Sequence, residues 1–384
     1  LIEIVLIGTY LTTFNRFKKW KGVHVLIGVG ILFGSNLSAY MILAVNAWMQ
    51  VPWGTGPFIA QNVLPWVPAL GPQVVNPAKL KILATVLPQT GSILLSSPTA
   101  FQLLSGFTSN PWIAIFNPEQ YATYLHNFLA AMIITSFLAA SYSSFKIIKH
   151  YGDAKYNWKA LKVSFAIAAI GSILKHVAGD FQGRLLYTYQ RNIFYATEGI
   201  PANGGYDPLI SILLYGNPNH FFRGFNYLAS LPGANNSMAQ LTLQASETYM
   251  PYIHFFYYFM VIAGVILFII SIAYFGLYSK TLDKLVHSIL RMKTETFVLY
   301  ASFLGAVLAI FAGGFGWATR EMGRHPWTIY GLVTYNDVVT AHPVTLAFTV
   351  GIIVLELSIL SAGLWGIYMI YFKNLKKSVM NGGD

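Results

Sequence analysis

The chain has 384 residues, of which 55% are hydrophobic and only 10% are charged, and its mean hydropathy is +0.54. This composition is too apolar for a soluble domain of that length, so it predicts a polytopic membrane protein of the all-α class. The chain contains no cysteine, which excludes disulfides, thiolate-ligated haem, iron–sulfur clusters and the usual zinc sites. Histidine, methionine and carboxylates remain as metal ligands.

One partial and six complete apolar segments are predicted to cross the membrane, since a spanning helix needs about 20 mostly apolar residues. Together they form a single membrane domain over residues 1–384, a transmembrane helix bundle. The first span is partial because the sequence begins at Leu1 inside an apolar stretch, and we expect a sequence cut within a hydrophobic span. The predicted spans are 1–14, 24–48, 118–145, 160–178, 251–278, 296–319 and 342–372.

The net charge of +11 comes from short basic clusters between the spans. All of them fall on one side of the predicted membrane, so the positive-inside rule places the basic loops and the C-terminus in the cytoplasm. This distribution argues against nucleic acid as a partner. The outer side carries two long connections, an outer capping loop at 49–117 and a binding loop at 179–250, because loops of such length are usually functional.

Two candidate metal ligands lie at matching depth in spans that start from the outer side. His126 lies a little over two turns into its span, a depth of about 12 Å at 1.5 Å per residue, and Met260 is at nearly the same depth in another span. A haem held between two helices needs such a pair, and histidine with methionine is an established axial set. Each residue alone is more often a packing or hydrogen-bonding residue between helices.

Segment 313–327 closes an apolar run with an acid, two arginines and two tryptophans, which is costly unless they face a protein interior, a cavity or a cofactor. Glu321 lies one turn after Trp317 and one turn before Arg324, so the three share a face if the helix continues that far. One interpretation is a Glu–Arg pair at a helix end. The other makes Glu321 a ligand or proton-handling group at a high-spin haem, with Arg324 held for a propionate and Trp317 against the macrocycle.

Small polar residues, among them Ser38 and Asn46, lie along the second span, and the acids Glu3 and Glu356 lie well inside other spans. Small polar groups in membrane helices usually indicate close helix packing. Combined with buried acids, they could instead line a proton path from the basic side, which a redox reaction fed from the cytoplasm would need.

Three blocks of sequence resemble the haem-bearing subunit I of cytochrome bd-type quinol oxidases. They are Gly34-Ser35-Asn36-Leu37-Ser38-Ala39 with Asn46-Ala47-Trp48-Met49-Gln50-Val51-Pro52, the His126 span, and Gly316-Trp317 through Glu321-Met322-Gly323-Arg324-His325-Pro326-Trp327. The first is similar to the family's GSNLSA…NGWMQ-P signature. The last is similar to its E-x-GR-Q-PW signature, with His325 in place of glutamine. The order of the spans agrees along nearly the whole chain, whereas the outer loops align loosely.

The resemblance implies three haem groups. His126 and Met260 match the axial ligands of a low-spin haem b, which takes electrons from quinol. Glu321 matches the carboxylate ligand of a high-spin haem b, with Trp317 and Arg324 as neighbours. The third group is haem d or another haem b.

The resemblance also implies a proton route and a quinol site. Glu3 matches the glutamate of the cytoplasmic proton route, with Ser38 and Asn46 as polar companions, while Glu198 and Gln190 fall in the quinol-binding loop. Quinol would be oxidised on the outer side of a prokaryotic cell membrane, and oxygen reduced to water with cytoplasmic protons. The implied partners are a second membrane subunit, either subunit II-like or a paralogue, and small single-helix subunits.

The departures from the family pattern leave two interpretations. Ile193 stands at the family's loop lysine and Tyr258 at the arginine two residues before the methionine ligand, which implies altered quinol binding and propionate pairing. The family's first two helices, with the histidine of the oxygen-binding haem, would precede Leu1. The sequence is therefore a portion of an oxidase subunit, or a shortened paralogue that binds haem b for electron transfer or assembly without a complete oxygen site. A transporter without haem is a third interpretation, suggested by the buried acids alone.

Overall fold

The computed structural model describes residues 2–13, 21–90, 110–338 and 345–369. A short 3₁₀ helix, Phe275–Tyr278, continues the longest α-helix. The α-helices are α1 Ile2–Thr13, α2 Lys21–Gln50, α3 Phe58–Asn62, α4 Pro77–Thr90, α5 Pro111–Ile115, α6 Pro118–Ile148, α7 Ala154–Tyr189, α8 Arg191–Glu198, α9 Pro208–Tyr215, α10 Gly224–Ala229, α11 Ser237–Tyr274, α12 Lys280–Leu290, α13 Thr294–Gly323, α14 Tyr335–Val338 and α15 Leu346–Ile367.

The strands form three antiparallel two-stranded ribbons, all in the connections between long helices. They pair β1 Thr55–Gly56 with β2 Leu70–Gln73, β3 Gly205–Tyr206 with β4 Phe221–Phe222, and β5 Trp327–Ile329 with β6 Val333–Thr334.

Five of the described helices are long and apolar enough to cross a membrane, namely α2, α6, α7, α11 with its 3₁₀ extension, and α13. They correspond to five of the predicted complete spans. The apolar helices α1 and α15 lie at the first and last predicted spans. The structure therefore confirms the all-α transmembrane bundle.

Two helices extend well beyond the predicted spans. Helix α7 runs on to Tyr189, and α11 begins at Ser237 rather than at residue 251, so both ends of the predicted 179–250 loop are helical. Hydropathy detects only the apolar part of a helix that crosses the membrane. The two extensions are more polar, so hydropathy does not predict them as parts of the spans. Asn236 sets the start of α11, since its side chain accepts a hydrogen bond from the Ala239 amide at 2.8 Å.

The core of the bundle lies between α6, α7, α11 and α13. The Phe165 ring stacks on Tyr274 with centroids 4.8 Å apart, and it meets Phe137 edge-on. Gly305 of α13 packs directly against the Phe137 ring, so a β-carbon at residue 305 would overlap the ring. Small residues at such contacts let membrane helices approach closely, because packing rather than water exclusion holds them together.

A second core joins the three connections at one end of the bundle. We call this layer the cap, comprising residues 51–90, 190–236 and 324–338. Trp66 of the first connection donates through Nε1 to Asn192 Oδ1 of the second at 3.3 Å, and the Tyr330 hydroxyl donates to the same oxygen. Trp327 donates to Thr242 Oγ1 of α11 at 2.9 Å. These buried polar contacts hold the cap over the helix ends.

Candidate functional site

A cavity of about 710 Å³ lies beneath the cap, between α6, α7, α11 and α13. Its volume is within the range of cofactor and ligand pockets, which is roughly 300–1,000 Å³. The sequence-predicted residues that line it are His126, Met260, Gln190, Glu198 and Trp317. Residues predicted separately for haem ligation and for quinol binding therefore share one cavity.

His126 is partly exposed to the cavity and sits close to α7. Its Nε2 lies 3.0 Å from the Lys175 ammonium. Its Nδ1 is buried and has no hydrogen-bond partner among the residues that the structure describes. His126 therefore lines the cavity with one ring nitrogen unpaired, whereas buried polar groups are normally paired.

Met260 approaches the same cavity from α11. Its Sδ rests against the backbone of Gly316, where a β-carbon would lie 2.8 Å from the sulfur. A side chain at residue 316 would therefore displace the thioether from this position. Gly313, Gly314 and Gly316 all line the cavity, so α13 presents an almost flat wall beside the methionine.

These features fit a haem better than a bare metal ion. Among the described residues, no group of three or more histidine, cysteine, aspartate or glutamate side chains could hold an ion. A macrocycle supplies its own equatorial ligands and needs only axial ones from the protein, such as histidine and methionine. His126, Met260 and the flat glycine wall are what this chain offers to such a group.

Glu321 lies at the end of α13 with both carboxylate oxygens hydrogen-bonded. Asn46 Nδ2 of α2 donates to Oε1 at 2.9 Å, and Arg324 Nη2 donates to Oε2 at 2.6 Å. The Glu321 side chain is 42% exposed, whereas that of Arg324 is 4% exposed, and Arg324 Nε and Nη1 have no partner in the described part of the chain. The structure thus brings together Asn46, Glu321 and Arg324.

Arg320 connects this group to the cavity wall. Its Nε donates to Asn46 Oδ1 at 2.6 Å, and its Nη1 forms an ion pair with Glu119 Oε1 of α6 at 2.9 Å. Both Arg320 and Glu119 line the cavity. A continuous series of hydrogen bonds therefore runs from Glu119 through Arg320 and Asn46 to Glu321.

The cavity also has a polar corner at the cap. Gln190 Nε2 donates to both the carbonyl and the side-chain oxygen of Gln50 at 3.0 Å, and Gln50 Nε2 donates to the Arg320 carbonyl at 3.2 Å. Glu198, the last residue of α8, accepts a hydrogen bond from the Tyr258 hydroxyl at 3.3 Å. The pKa of Glu198 is raised to about 7, mainly by burial and also by the charge of Asp207, while hydrogen bonds from Tyr257 and Tyr258 oppose the rise.

Two other predicted residues, Ser38 and Glu356, do not line the cavity. Ser38 is exposed on α2, two turns before Asn46, and Glu356 is exposed on α15. Glu3 lies on α1, but its side chain falls outside the described residues. Trp317 borders the cavity and is also 38% exposed at the bundle surface.

The sequence-based reasoning missed Glu119, Lys175 and the role of Arg320. The signal was present, because charged side chains inside membrane helices normally pair or face a cavity. Lys175 falls within a predicted span, and Arg320 precedes Glu321 directly. Their partners could not be read from the chain because they lie on other helices.

Comparison with known proteins places these residues in a family. A family model described as cytochrome bd terminal oxidase subunit I matches residues 1–377. A protein of Bacillus subtilis (strain 168) named as a cytochrome bd menaquinol oxidase subunit I is 26% identical over 360 residues, covering 84% of this chain and 78% of the relative. The cytochrome bd ubiquinol oxidase subunit 1 of the same organism is 23% identical, covering 87% of this chain and 63% of the relative.

A solved structure shares the fold. The bd oxidase from Geobacillus thermodenitrificans aligns with a TM-score of 0.61 and 21% identity, over 97% of this chain and 75% of that chain. The resemblance carried by the three sequence blocks is confirmed. Because the family match extends over nearly all of the sequence, the chain belongs to the cytochrome bd terminal oxidase subunit I family, whose members are haem-containing membrane oxidoreductases.

Proposed function

We propose that this chain is the haem-bearing, quinol-oxidising subunit of a bd-type terminal oxidase, with His126 and Met260 as axial ligands of a low-spin haem b. One observation carries the proposal: two side chains far apart in sequence line a single cavity together with Gln190 and Glu198. The bound haem would supply a one-electron acceptor beside the quinol.

Glu198 is proposed as the group that takes a proton from quinol. A base works best when its pKa lies near the working pH, and burial raises the pKa of Glu198 to about 7. Gln190 is held by Gln50, so its amide has a defined orientation at the cavity wall. The relatives differ in the quinol that they are named for, menaquinol and ubiquinol, and both are substrates of the required class.

Glu321 is proposed as the ligand of a high-spin haem b, with Arg324 and Trp317 beside it. Asn46 and Arg324 hold the carboxylate in one orientation, and the exposure of Glu321 leaves room for a group at the bundle surface. A third haem, of type b or d, would complete oxygen reduction to water. Glu3, Ser38 and Asn46 are proposed to bring protons from the cytoplasm.

The chain is proposed to act in a prokaryotic cell membrane, with its basic loops and C-terminus in the cytoplasm and quinol oxidised on the outer side. Its partners would be a second membrane subunit, subunit II-like or paralogous, and small single-helix subunits. The outer surface of α2 is apolar and exposed along most of its length, as expected for a helix that faces lipid or a partner helix.

The test is a reduced-minus-oxidised spectrum of the purified complex. We expect a low-spin haem b signal that is lost in His126→Ala and in Met260→Ala. His287→Ala is the matched control, because His287 is exposed on α12 and is not among the cavity-lining residues. A native spectrum without haem b, or one unchanged by both ligand substitutions, would refute the assignment.

A paralogue that binds haem b for electron transfer or assembly without a complete oxygen site is the alternative. One feature favours it, since both Glu321 oxygens are already occupied by Asn46 and Arg324. Oxygen uptake with a reduced quinol separates the two functions: the oxidase consumes oxygen, and Glu321→Ala abolishes the uptake. The paralogue retains the low-spin signal and consumes none.

A further inference from the structure

Lys175 is a partly buried cation in the cavity wall that none of the roles above uses. It lies near the middle of the 36-residue helix α7 and lines the cavity. Its ammonium donates to His126 Nε2 at 3.0 Å and to the His126 carbonyl at 3.4 Å. Both hydrogen bonds go to neutral acceptors.

No carboxylate balances this charge in the described part of the chain. Each acid that lines the cavity has another partner. Glu119 pairs with Arg320, and Asp180 pairs with Arg184. Glu198 accepts a hydrogen bond from the Tyr258 hydroxyl. A buried charge without a counterion is expensive, so such residues in membrane helices normally face a partner or a functional group. The Lys175 ammonium is therefore a cation in the cavity wall without a counterion among the described residues.

The contact with His126 cannot persist if the metal is held through Nε2. Nε2 has a single lone pair, and in this arrangement it accepts the hydrogen bond from Lys175. Coordination of iron through Nε2 requires the ammonium to leave. Since the other walls are mostly apolar, the released ammonium needs an anionic acceptor within the cavity.

We propose that Lys175 changes partner when haem binds, moving from His126 Nε2 to a carboxylate of the haem. This inference rests on the proposed function, because it assumes that His126 is an iron ligand. Haem carries carboxylates at its edge, and a charge-assisted hydrogen bond to one of them would satisfy the ammonium. Lys175 then donates to His126 Nε2 before haem binds and to a haem carboxylate afterwards.

The test compares Lys175→Met with the native complex and with Lys162→Met. Lys162 lies on the same helix, with its ammonium 4.8 Å from the centre of the Tyr278 ring, and it is not among the cavity-lining residues. Two quantities are measured: the midpoint potential of the low-spin haem and the rate at which haem transfers to an acceptor protein. Neither depends on turnover of the oxidase.

Removal of the cation stabilises the oxidised, more positive haem, so we expect a lower midpoint potential in Lys175→Met. We also expect haem transfer at least tenfold faster, which corresponds to about 1.4 kcal/mol or more, because a charge-assisted hydrogen bond to the haem is lost. Lys162→Met should match the native complex, and Lys175→Arg should restore slow transfer. Should the methionine variant fail to assemble, Lys175→Gln removes the same charge with a polar side chain.

An unchanged potential with unchanged transfer would overturn the inference. So would an unchanged potential with faster haem loading, which is the result expected if Lys175 only blocks His126. A native complex without haem b would instead refute the proposed function, and the inference with it. The spectrum of the native protein distinguishes these cases before any variant is made.

Discussion

The ion pair between Glu119 and Arg320 offers the sharpest test of the site's architecture. It joins α6 to α13 at 2.9 Å, with side chains only 6% and 12% exposed. At an effective dielectric constant of about 20, the attraction at this distance is about 6 kcal/mol, part of which offsets desolvation. Removing one partner leaves the other as an uncompensated buried charge.

We therefore expect Glu119→Gln and Arg320→Met each to lower the free energy of unfolding by about 3–5 kcal/mol. The double variant Glu119→Gln with Arg320→Met should cost much less than the sum, because neither charge remains. The coupling energy should exceed about 2 kcal/mol. It is measured by equilibrium unfolding in mixed micelles, followed by circular dichroism of the helices.

The cost of breaking this ion pair can be compared with the cost of removing a hydrogen bond between uncharged side chains. The Tyr124 hydroxyl donates to Asn36 Oδ1 between α6 and α2 at 3.0 Å, and an interhelical hydrogen bond of this kind contributes about 0.6 kcal/mol on average. Tyr124→Phe should therefore cost far less than either charge substitution. If the costs of the two charge substitutions add to within about 0.5 kcal/mol, the pair is not coupled and the reasoning fails.

Three further predictions follow from single contacts. Glu198 is protonated below its raised pKa of about 7, so the rate of quinol oxidation should rise with pH through that value. Glu198→Gln should remove this rise, and a variant that keeps the native pH profile would contradict the assignment. Gly316→Val should displace the Met260 sulfur, because a β-carbon at residue 316 would lie 2.8 Å from it. The variant should therefore lose the low-spin haem spectrum. Gly351→Ala, where a β-carbon meets no neighbouring atom, should retain that spectrum. Asn236→Ala should lower the free energy of unfolding by about 1 kcal/mol, measured by the same unfolding assay, and no measurable loss would exclude a capping role.

Much of the site could be predicted because it follows local rules. The depth of His126 and Met260 along two spans predicts them as a pair of candidate ligands, and depth depends only on helix rise. The pairing of Glu321 with Arg324 follows from a spacing of one helical turn. These relations are properties of a single helix, so the order of the residues determines them.

Other contacts depend on how the helices pack. Nothing in the sequence around Glu119 shows that it faces Arg320, and nothing around Lys175 shows that it reaches Nε2 of His126. Each pair joins two helices, and its geometry depends on their rotation and separation. The extension of α7 to Tyr189 was also missed, because hydropathy falls before the helix ends.

The sequence by itself determined the class of the protein and the positions of five membrane spans, since apolar length is a local property. Only the tertiary structure decided that the candidate haem ligands and the candidate quinol residues share one cavity, and that a chain of hydrogen bonds joins that cavity to Glu321. The physical reason is that close packing of small residues such as Gly305 and Gly316 sets which faces of the helices meet.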